Sequence, residues 1–391
     1  MKKRIFLLAY MKTNLGDDLF VETICRRYPD AQFKIHCSAE MWTELKPISN
    51  LANVNLWRTE ALVQKAFKTD RPIGRFLKKC VSYVAAKKTA FTRKGCSAVV
   101  KIGGSIFMEK GKTGTRPIVL AETEPLPGNI FGEAQSVPPQ FLIGANVGPV
   151  YTKEYLYAVA EELKAYKSAV FRDKASYNLY RNFPNVGYAP DVIFQYPING
   201  VQNCETERQV FITPIALENR DTKCGEEELQ GYYEKMAEVC RYYLDLDYKV
   251  VLASFCKREG DLEAIEKIQQ RLCVEHRENT KVLSYEGNTD VILTEMRKSE
   301  FLICCRFHSI VLSLLLEKPF YPISYGDKTT NLLSDLHYSG NWAMIDKWKD
   351  IPIEEIEENR TQSIVTDVEK FKIGAQKQFE KLDTFLDTKV S

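Results

Sequence analysis

Long apolar runs are missing from this chain. No stretch of 18 consecutive apolar residues occurs among its 391 residues, so no segment is expected to span a membrane. A strong charge imbalance is missing too. The formal net charge is +2, which gives bulk electrostatics no footing for nucleic acid. Histidine is scarce. Of four, only His36 has a neighbouring cysteine, Cys37, and no zinc-ligand spacing is present. The eleven cysteines include no C-x-x-C pair. An odd number scattered among apolar residues reads as reduced, mostly buried thiols of a cytosolic protein. There is no internal repeat and no low-complexity tract. Met1–Tyr10 is basic and then apolar, but too short for a signal peptide and without a small-residue cleavage site. It reads as a first β-strand.

What is present is an ordinary globular composition, 45% hydrophobic and 27% charged, in a chain long enough for two domains. Short apolar runs alternate with longer helical patterns, the mark of an α/β protein with parallel sheets. Strands are expected at Arg4–Ala9, Gln32–Cys37, Val54–Trp57, Ala98–Ile102, Gln140–Ala145 and Ser168–Phe171. In the second half they are expected at Gln209–Ile212, Lys249–Ala253, Lys281–Leu283, Phe301–Cys304 and Phe320–Ile323. Helices are expected at Asp18–Tyr28, Lys153–Ala165, Glu226–Leu246 and Leu262–Cys273. Two prolines and little periodicity between Pro190 and Arg208 place a domain boundary there. The expected organisation is two Rossmann-like domains, 1–195 and 206–345, facing a cleft, followed by a helical segment over 350–391. Ile364, Val368, Phe371, Ala375, Phe379, Leu382 and Leu386 recur at helical spacing and predict a C-terminal amphipathic helix.

The chemistry should gather beyond the carboxyl ends of these strands. Asn14-Leu15-Gly16-Asp17-Asp18 follows the first strand and opens a helix, whose free N–H groups suit an anion or polar ligand. The plainer reading is a tight turn with an Asp cap, and the glycine pattern is not G-x-G-x-x-G. Gly103-Gly104-Ser105 lets a backbone approach a ligand closely, or is a flexible turn. Arg172-Asp173 is a ligand clamp, or Asp173 caps the next helix; Asp191 reads as a turn residue. Lys257 and Arg258 face the cleft or form a solvated cluster, and Asp261 caps a helix. The strongest stretch is Cys305-Arg306-Phe307-His308, directly after a buried strand. Arginine suits forked recognition of carboxylate or phosphate, and histidine is readily poised as acid or base. A lone histidine is more often structural; its position after a parallel strand and two residues from arginine favours function. Lys328, in Tyr-Gly-Asp-Lys, adds a cation at the same edge, or belongs to a polar turn.

Taken in order, these stretches resemble the polysaccharide pyruvyl transferase family. The resemblance rests on Asn14-Leu15-Gly16-Asp17, Gly103-Gly104-Ser105-Ile106-Phe107, Arg172-Asp173 with Ser176, and Ala189-Pro190-Asp191. It continues through Ser254-Phe255-Cys256 with Gly260-Asp261, to Arg306-Phe307-His308 with Pro319, Ser324-Tyr325 and Lys328. It covers about residues 3 to 340. The family's glycine-rich loop often has three glycines, and here Ile102 stands before only two. The resemblance implies a GT-B-like fold and transfer of pyruvate from phosphoenolpyruvate to a sugar as a cyclic ketal, in building a cell-surface polysaccharide. It implies His308 as general acid, and Arg306, Lys328 and Arg172 as donor-binding residues. Asn14, Gly16, Asp17, Gly103, Gly104 and Ser105 belong to the acceptor side or its loops. No metal or organic cofactor is required by that scheme.

Two other classes share some of these features. A GT-B glycosyltransferase using a nucleotide sugar shares the fold and an anion site in the second domain. A non-catalytic carbohydrate-binding protein would not need Arg306, His308 and Lys328 together. The segment Lys65–Lys94 carries ten Lys or Arg and one acid, Asp70, for a local charge of +9. It reads as an amphipathic helix packed on the first domain, or as a contact with anionic lipid at the inner membrane face, where a polyprenyl-linked acceptor would be presented.

Overall fold

The computed structural model describes residues 3–10, 13–54, 92–93, 95–109, 138–198, 204–218, 225–361 and 367–387. The first sheet has seven strands: β1 (Arg4–Leu8), β2 (Gln32–Ile35), β3 (Leu51–Asn53), β4 (Ala98–Ile102), β5 (Gln140–Ala145), β6 (Ser168–Phe171) and β7 (Val186–Tyr188). Their spatial order is β3-β2-β1-β4-β5-β6-β7. The second sheet has β8 (Glu207–Thr213), β9 (Lys249–Ser254), β10 (Thr280–Ser284), β11 (Ser299–Cys304), β12 (Phe320–Ser324) and β13 (Ala343–Met344), ordered β10-β9-β8-β11-β12-β13. The pairings are parallel in both sheets. All five residues of β4 are buried, as befits a central strand covered on both faces.

Strand order reverses between β1 and β4 in one sheet and between β8 and β11 in the other. Such reversals open crevices at the carboxyl edge, because successive crossovers leave on opposite faces. The segments after β1, β4 and β11 are those singled out above: Asn14–Asp17, Gly103–Ser105 and Arg306–His308.

The expected strand Val54–Trp57 lies earlier, at Leu51–Asn53, with residues 55–57 outside the described part. Asn53 fixes that register: its side chain bonds both the N–H and the C=O of Cys37, at 3.3 and 3.0 Å. Strands β7 and β13 were not anticipated, being two or three residues long and only partly buried. The basic stretch proposed for lipid falls on residues that are largely outside the described ones.

The C-terminal segment is not one continuous helix. Ile353–Thr361 packs beside β12 in the second domain. Beyond it, helices Val368–Ala375 and Glu380–Asp387, joined by a turn at Gln376–Gln378, return to the first domain. The break falls where Gln378 turns inward. Its side chain accepts from Gly144 N at 2.9 Å and donates to Ala189 O at 2.8 Å and Pro190 O at 3.0 Å. The expected apolar stripe is present, with Ala375, Phe379 and Leu382 buried. Asp383 closes the contact by pairing with Arg27 at 2.6 Å and accepting from Tyr28 at 2.6 Å.

The two sheets are not separate bodies of packing. One apolar cluster contains Leu15, Leu19 and Phe20 of the first helix together with Phe307, Ile310 and Leu314 of helix Phe307–Leu315. The latter helix also packs against the turn Val192–Gln195 that leads out of the first domain.

Candidate active site at the interdomain crevice

Helix Leu15–Arg27 starts at Asn14, whose side chain accepts from Gly16 N at 3.1 Å; the cap is thus Asn14 and not an aspartate. Asp17 and Asp18 occupy the first turn, where the helix dipole favours acids. The helix is docked on the second domain by Leu15 N to Phe255 O at 3.1 Å and by Tyr285 O–H to Asp18 at 2.8 Å. This brings Gly16 against His308, so closely that a Cβ on Gly16 would collide with Nδ1 of the imidazole.

His308 lies in the first turn of helix Phe307–Leu315, after β11. Its other nitrogen, Nε2, is 3.3 Å from Nη1 of Arg172. An arginine only donates, so Nε2 accepts and the neutral ring carries its proton on Nδ1. Burial and the positive charges of Arg172, Lys328 and Arg306 hold its pKa well below 6.5. The expectation of a proton donor therefore meets a neutral imidazole, because burial and then the nearby cations disfavour the charged ring.

Arg172 belongs to the first domain, directly after β6. Asp191 pairs with Nη1 at 3.0 Å, Asn146 accepts from Nη2 at 2.6 Å, and the guanidinium lies 4.1 Å from the centroid of Phe307. Gly104 is small enough to let the fork pass; a Cβ there would strike Nη1. Gly103 takes φ +148, a conformation open to glycine. Ser105 Oγ reaches Asn146 Oδ1 at 3.4 Å. Asp173 is the cap of helix Lys174–Tyr180, accepting from Ser176 N at 2.7 Å, and takes no part in the clamp.

Arg306 departs from its expected role as donor anchor. It is buried, and its guanidinium pairs with Glu259 and Asp261. Asp261 is not the helix cap either: Gly260 holds that position, and Asp261 accepts from the N–H groups of Phe255 and Cys256 at 3.0 and 2.8 Å. Arg306 and Asp261 thus spend their charges on each other and brace the loop after β9.

Lys328 is in the first turn of helix Asp327–Leu336, so Tyr-Gly-Asp-Lys is a helix start as well as a turn. Its ammonium lies 4.9 Å from the ring centroid of Tyr325. Among the described residues no carboxylate pairs with it. Asp17 feels the same cations. Loss of water, then the charge of Glu259, pushes its pKa up to about 7, against the opposing pull of Arg172, Lys328 and Arg306. Asp17 and His308 are thus shifted in opposite directions, one toward keeping a proton and one toward refusing it, the pattern of an acid–base pair.

Asn146 and Glu259 were not singled out from the sequence. Asn146 could have been found by position, since it follows β5 at the carboxyl edge. Glu259 had no signal beyond its charge.

The fold and crevice define a two-domain enzyme architecture of the GT-B type. Similar solved structures include the UDP-GlcNAc 2-epimerase of Methanocaldococcus jannaschii in complex with UDP-GlcNAc and UDP. It has TM-score 0.60 and 13% identity, covering 98% of this chain and 100% of that one. Anabaena Alr3699/HepE in complex with UDP and glucose gives 0.56 and 10%, with full coverage of both chains. S. aureus MnaA with UDP gives 0.56 and 9%, covering 100% and 98%. At these identities the likeness shows the fold alone. No curated protein matches the chain in sequence. The family model for polysaccharide pyruvyl transferase matches residues 14–327, from the cap of the first helix to the turn before Lys328. The chain belongs to the polysaccharide pyruvyl transferase family.

Proposed function

We propose that the protein transfers pyruvate from phosphoenolpyruvate to two hydroxyls of a sugar in a glycan precursor, leaving a cyclic ketal. Membership of the family supports the transferase class. The observation that carries the donor is the cluster of Arg172, Lys328 and His308 at the crevice, contributed by both domains. Phosphoenolpyruvate brings a phosphate and a carboxylate. Lys328, with no carboxylate partner among the described residues, is a point charge for one of them. Arg172 offers its fork from the other wall.

The chemistry asks for one proton to be given and two to be taken. The methylene carbon of the donor gains a proton, which leaves the adjacent carbon electrophilic. A sugar hydroxyl adds there and loses its proton. The bond to phosphate breaks, inorganic phosphate departs, and a second hydroxyl closes the ketal, its proton ending on phosphate. Asp17, still protonated in part at neutral pH, suits the giving step. Neutral His308 suits the taking step. An incoming anion also weakens the cationic field that depresses His308, so its proton affinity rises on donor binding and it can return the proton as an acid.

The acceptor is assigned mainly to the first domain, near Asn14 and Gly103–Ser105, and no metal or organic cofactor enters the scheme. A polyprenyl-linked acceptor at the inner membrane face fits a precursor pathway. Among the described residues no helix is long and apolar enough to cross a membrane. The deciding experiment is incubation with phosphoenolpyruvate and a panel of lipid-linked or nitrophenyl sugars. Phosphate release together with an added pyruvyl mass supports the reading. A second reading, a nucleotide-sugar transferase, is favoured by the UDP complexes of the structural neighbours. Turnover of a UDP-sugar in the same panel, with phosphoenolpyruvate inert, would establish it instead.

A further inference from the structure

Helix Leu15–Arg27 meets the second domain along one face of its first two turns. Asp18 and Glu22 are four residues apart, so both carboxyls project from that face. Tyr285 O–H donates to Asp18 Oδ2 at 2.8 Å, and Thr289 Oγ1 donates to Glu22 Oε1 at 3.0 Å. Both donors belong to one short turn, 285–289, which leads from β10 into helix Thr289–Lys298. Gly287, in the middle of that turn, lies against Glu44 of helix Ala39–Leu45, so closely that a Cβ would press on Glu44 Cβ at 2.9 Å and Cα at 3.0 Å. At φ +83 it also takes a conformation suited to glycine. The turn thus touches the first domain at three points.

The turn is itself held in place. Tyr285 N donates to Ser254 O at 2.9 Å, and Asn288 Oδ1 accepts from Glu286 N at 2.9 Å. Phe255, next to Ser254, accepts from Leu15 N, so the loops after β9 and β10 grip the start of the same helix. Tyr285 and Asp18 are both buried. Burial, then the charges of Glu44, Asp17 and Glu22, push the Asp18 carboxyl well above its usual range, and the Tyr285 hydroxyl opposes them. Burying a carboxyl to meet a hydroxyl is a weak source of stability. What it supplies is direction. A hydrogen bond weakens steeply when its angle is lost, whereas the neighbouring apolar contact of Leu15 and Leu19 with Phe307 and Ile310 tolerates sliding. Asp17 stands between two such fixed points, with Gly16 against His308 on one side and Asp18 bonded to Tyr285 on the other.

We propose that the turn 285–289 is a clasp that sets how the two domains close, with Tyr285 and Thr289 as positioning residues for Asp17 and His308. This rests on the pyruvyl transfer reading for the roles of Asp17 and His308, and adds what holds them in register. Asp17 comes from the first domain and His308 from the second, so their spacing is fixed by the docking of helix Leu15–Arg27 and by nothing within either sheet. Tyr285 acts through Asp18, and Thr289 through Glu22, one helical turn further on. Glu22 also accepts from Tyr196 O–H at 2.8 Å, in the segment that leads out of the first domain, so the same carboxylate ties the clasp to the connection between the domains.

The test uses the full chain and the variants Tyr285→Phe, Asp18→Ala and their double. The control is Asp383→Ala, which frees the far end of the same helix from its anchor on Arg27 and Tyr28. Circular dichroism and melting curves confirm folding. In the phosphate-release assay Tyr285→Phe should lower kcat by about 10–100-fold, the scale of a small misplacement of reacting groups, with the KM of donor and acceptor within about twofold of wild type. Asp18→Ala should lose as much, and the double variant no more than either, because both break one bond. Asp383→Ala should lower the melting temperature and leave kcat in place. If Tyr285→Phe also lowers only the melting temperature, or if the losses of the two single variants multiply in the double, the clasp is overturned. A second arm needs no substrate. Hydrogen exchange of the peptide over residues 15–20, measured well below melting, should quicken in Tyr285→Phe and not in Asp383→Ala. If the wild type transfers no pyruvate to any sugar, the pyruvyl reading falls, while quickened exchange in Tyr285→Phe still supports the clasp. Unchanged exchange overturns the clasp whatever the activity.

Discussion

Arg172 of the first domain donates to Nε2 of His308 in the second, at 3.3 Å across the crevice. This one contact sets the tautomer of the imidazole, places a positive charge beside it, and ties the two domains at the point where a donor would enter. A ligand that binds Arg172 must compete with His308 for the same fork.

Replacing His308 by alanine should leave the fold intact and lower transfer by about two to four orders of magnitude, the range for a lost acid–base group. Phosphate release under saturating donor and acceptor measures it. Turnover near the wild-type rate would remove His308 from the chemistry.

Gly16→Ala should be as damaging to activity as a direct hit on His308. The added methyl occupies the space of the imidazole, so the ring must rotate away from Arg172 or the first helix must lift from the second domain. The expected outcome is a large loss of kcat with a modest change in melting temperature. Wild-type kcat would show that the two domains part during turnover and that the contact belongs to the resting form alone.

Asp17 makes a pH prediction. Its folded-state pKa of about 7 lies above the ordinary 3.8, so the folded protein holds a proton there that the unfolded chain releases earlier. The sign follows: stability contributed at this site is retained at acid pH, falls as pH rises from about 4 to about 7, and is lowest above that. Asp17→Asn should flatten that slope in melting temperature against pH. It should also abolish the fall in kcat/KM above neutrality if Asp17 supplies the proton. A profile identical to the wild type in both measurements would contradict the assignment.

Arg306 and Lys328 should separate cleanly. Arg306→Ala leaves the fully buried Asp261 without its partner, at a cost of about 3–5 kcal/mol, read as a drop in melting temperature. Lys328→Ala breaks no ion pair seen among the described residues, and should raise the phosphoenolpyruvate KM while leaving stability close to wild type. The reverse pattern would return Arg306 to the donor.

The crevice edge was legible because a buried parallel strand announces its own end. Runs such as Phe301–Cys304, apolar throughout, and Ala98–Ile102, apolar but for Lys101, end at the crevice, and polar residues that follow them stand there. The partners were not legible. Arg306 looks like an anion anchor in sequence because Asp261 and Glu259 are more than forty positions away, and nothing local says that they meet. Asn146 escaped for the same reason, since its meaning comes only from Arg172. Short strands such as Val186–Tyr188 carry too few residues for a period to show. The C-terminal stripe predicted the apolar contacts of Ala375, Phe379 and Leu382, but not the inward turn of Gln378 that breaks the helix.

That inward turn bears on how the molecule is made. Gln378 satisfies backbone groups of the first domain at Gly144, Ala189 and Pro190, yet it follows the whole second domain in the chain. During synthesis the first sheet therefore emerges with those groups unsatisfied and an apolar face uncovered, and waits while the second domain is made and folds. The first domain to be translated is the last to be finished. Chains that end after helix Ile353–Thr361 and before Val368 should accordingly hold a protease-resistant second domain and a first domain that is still readily cut.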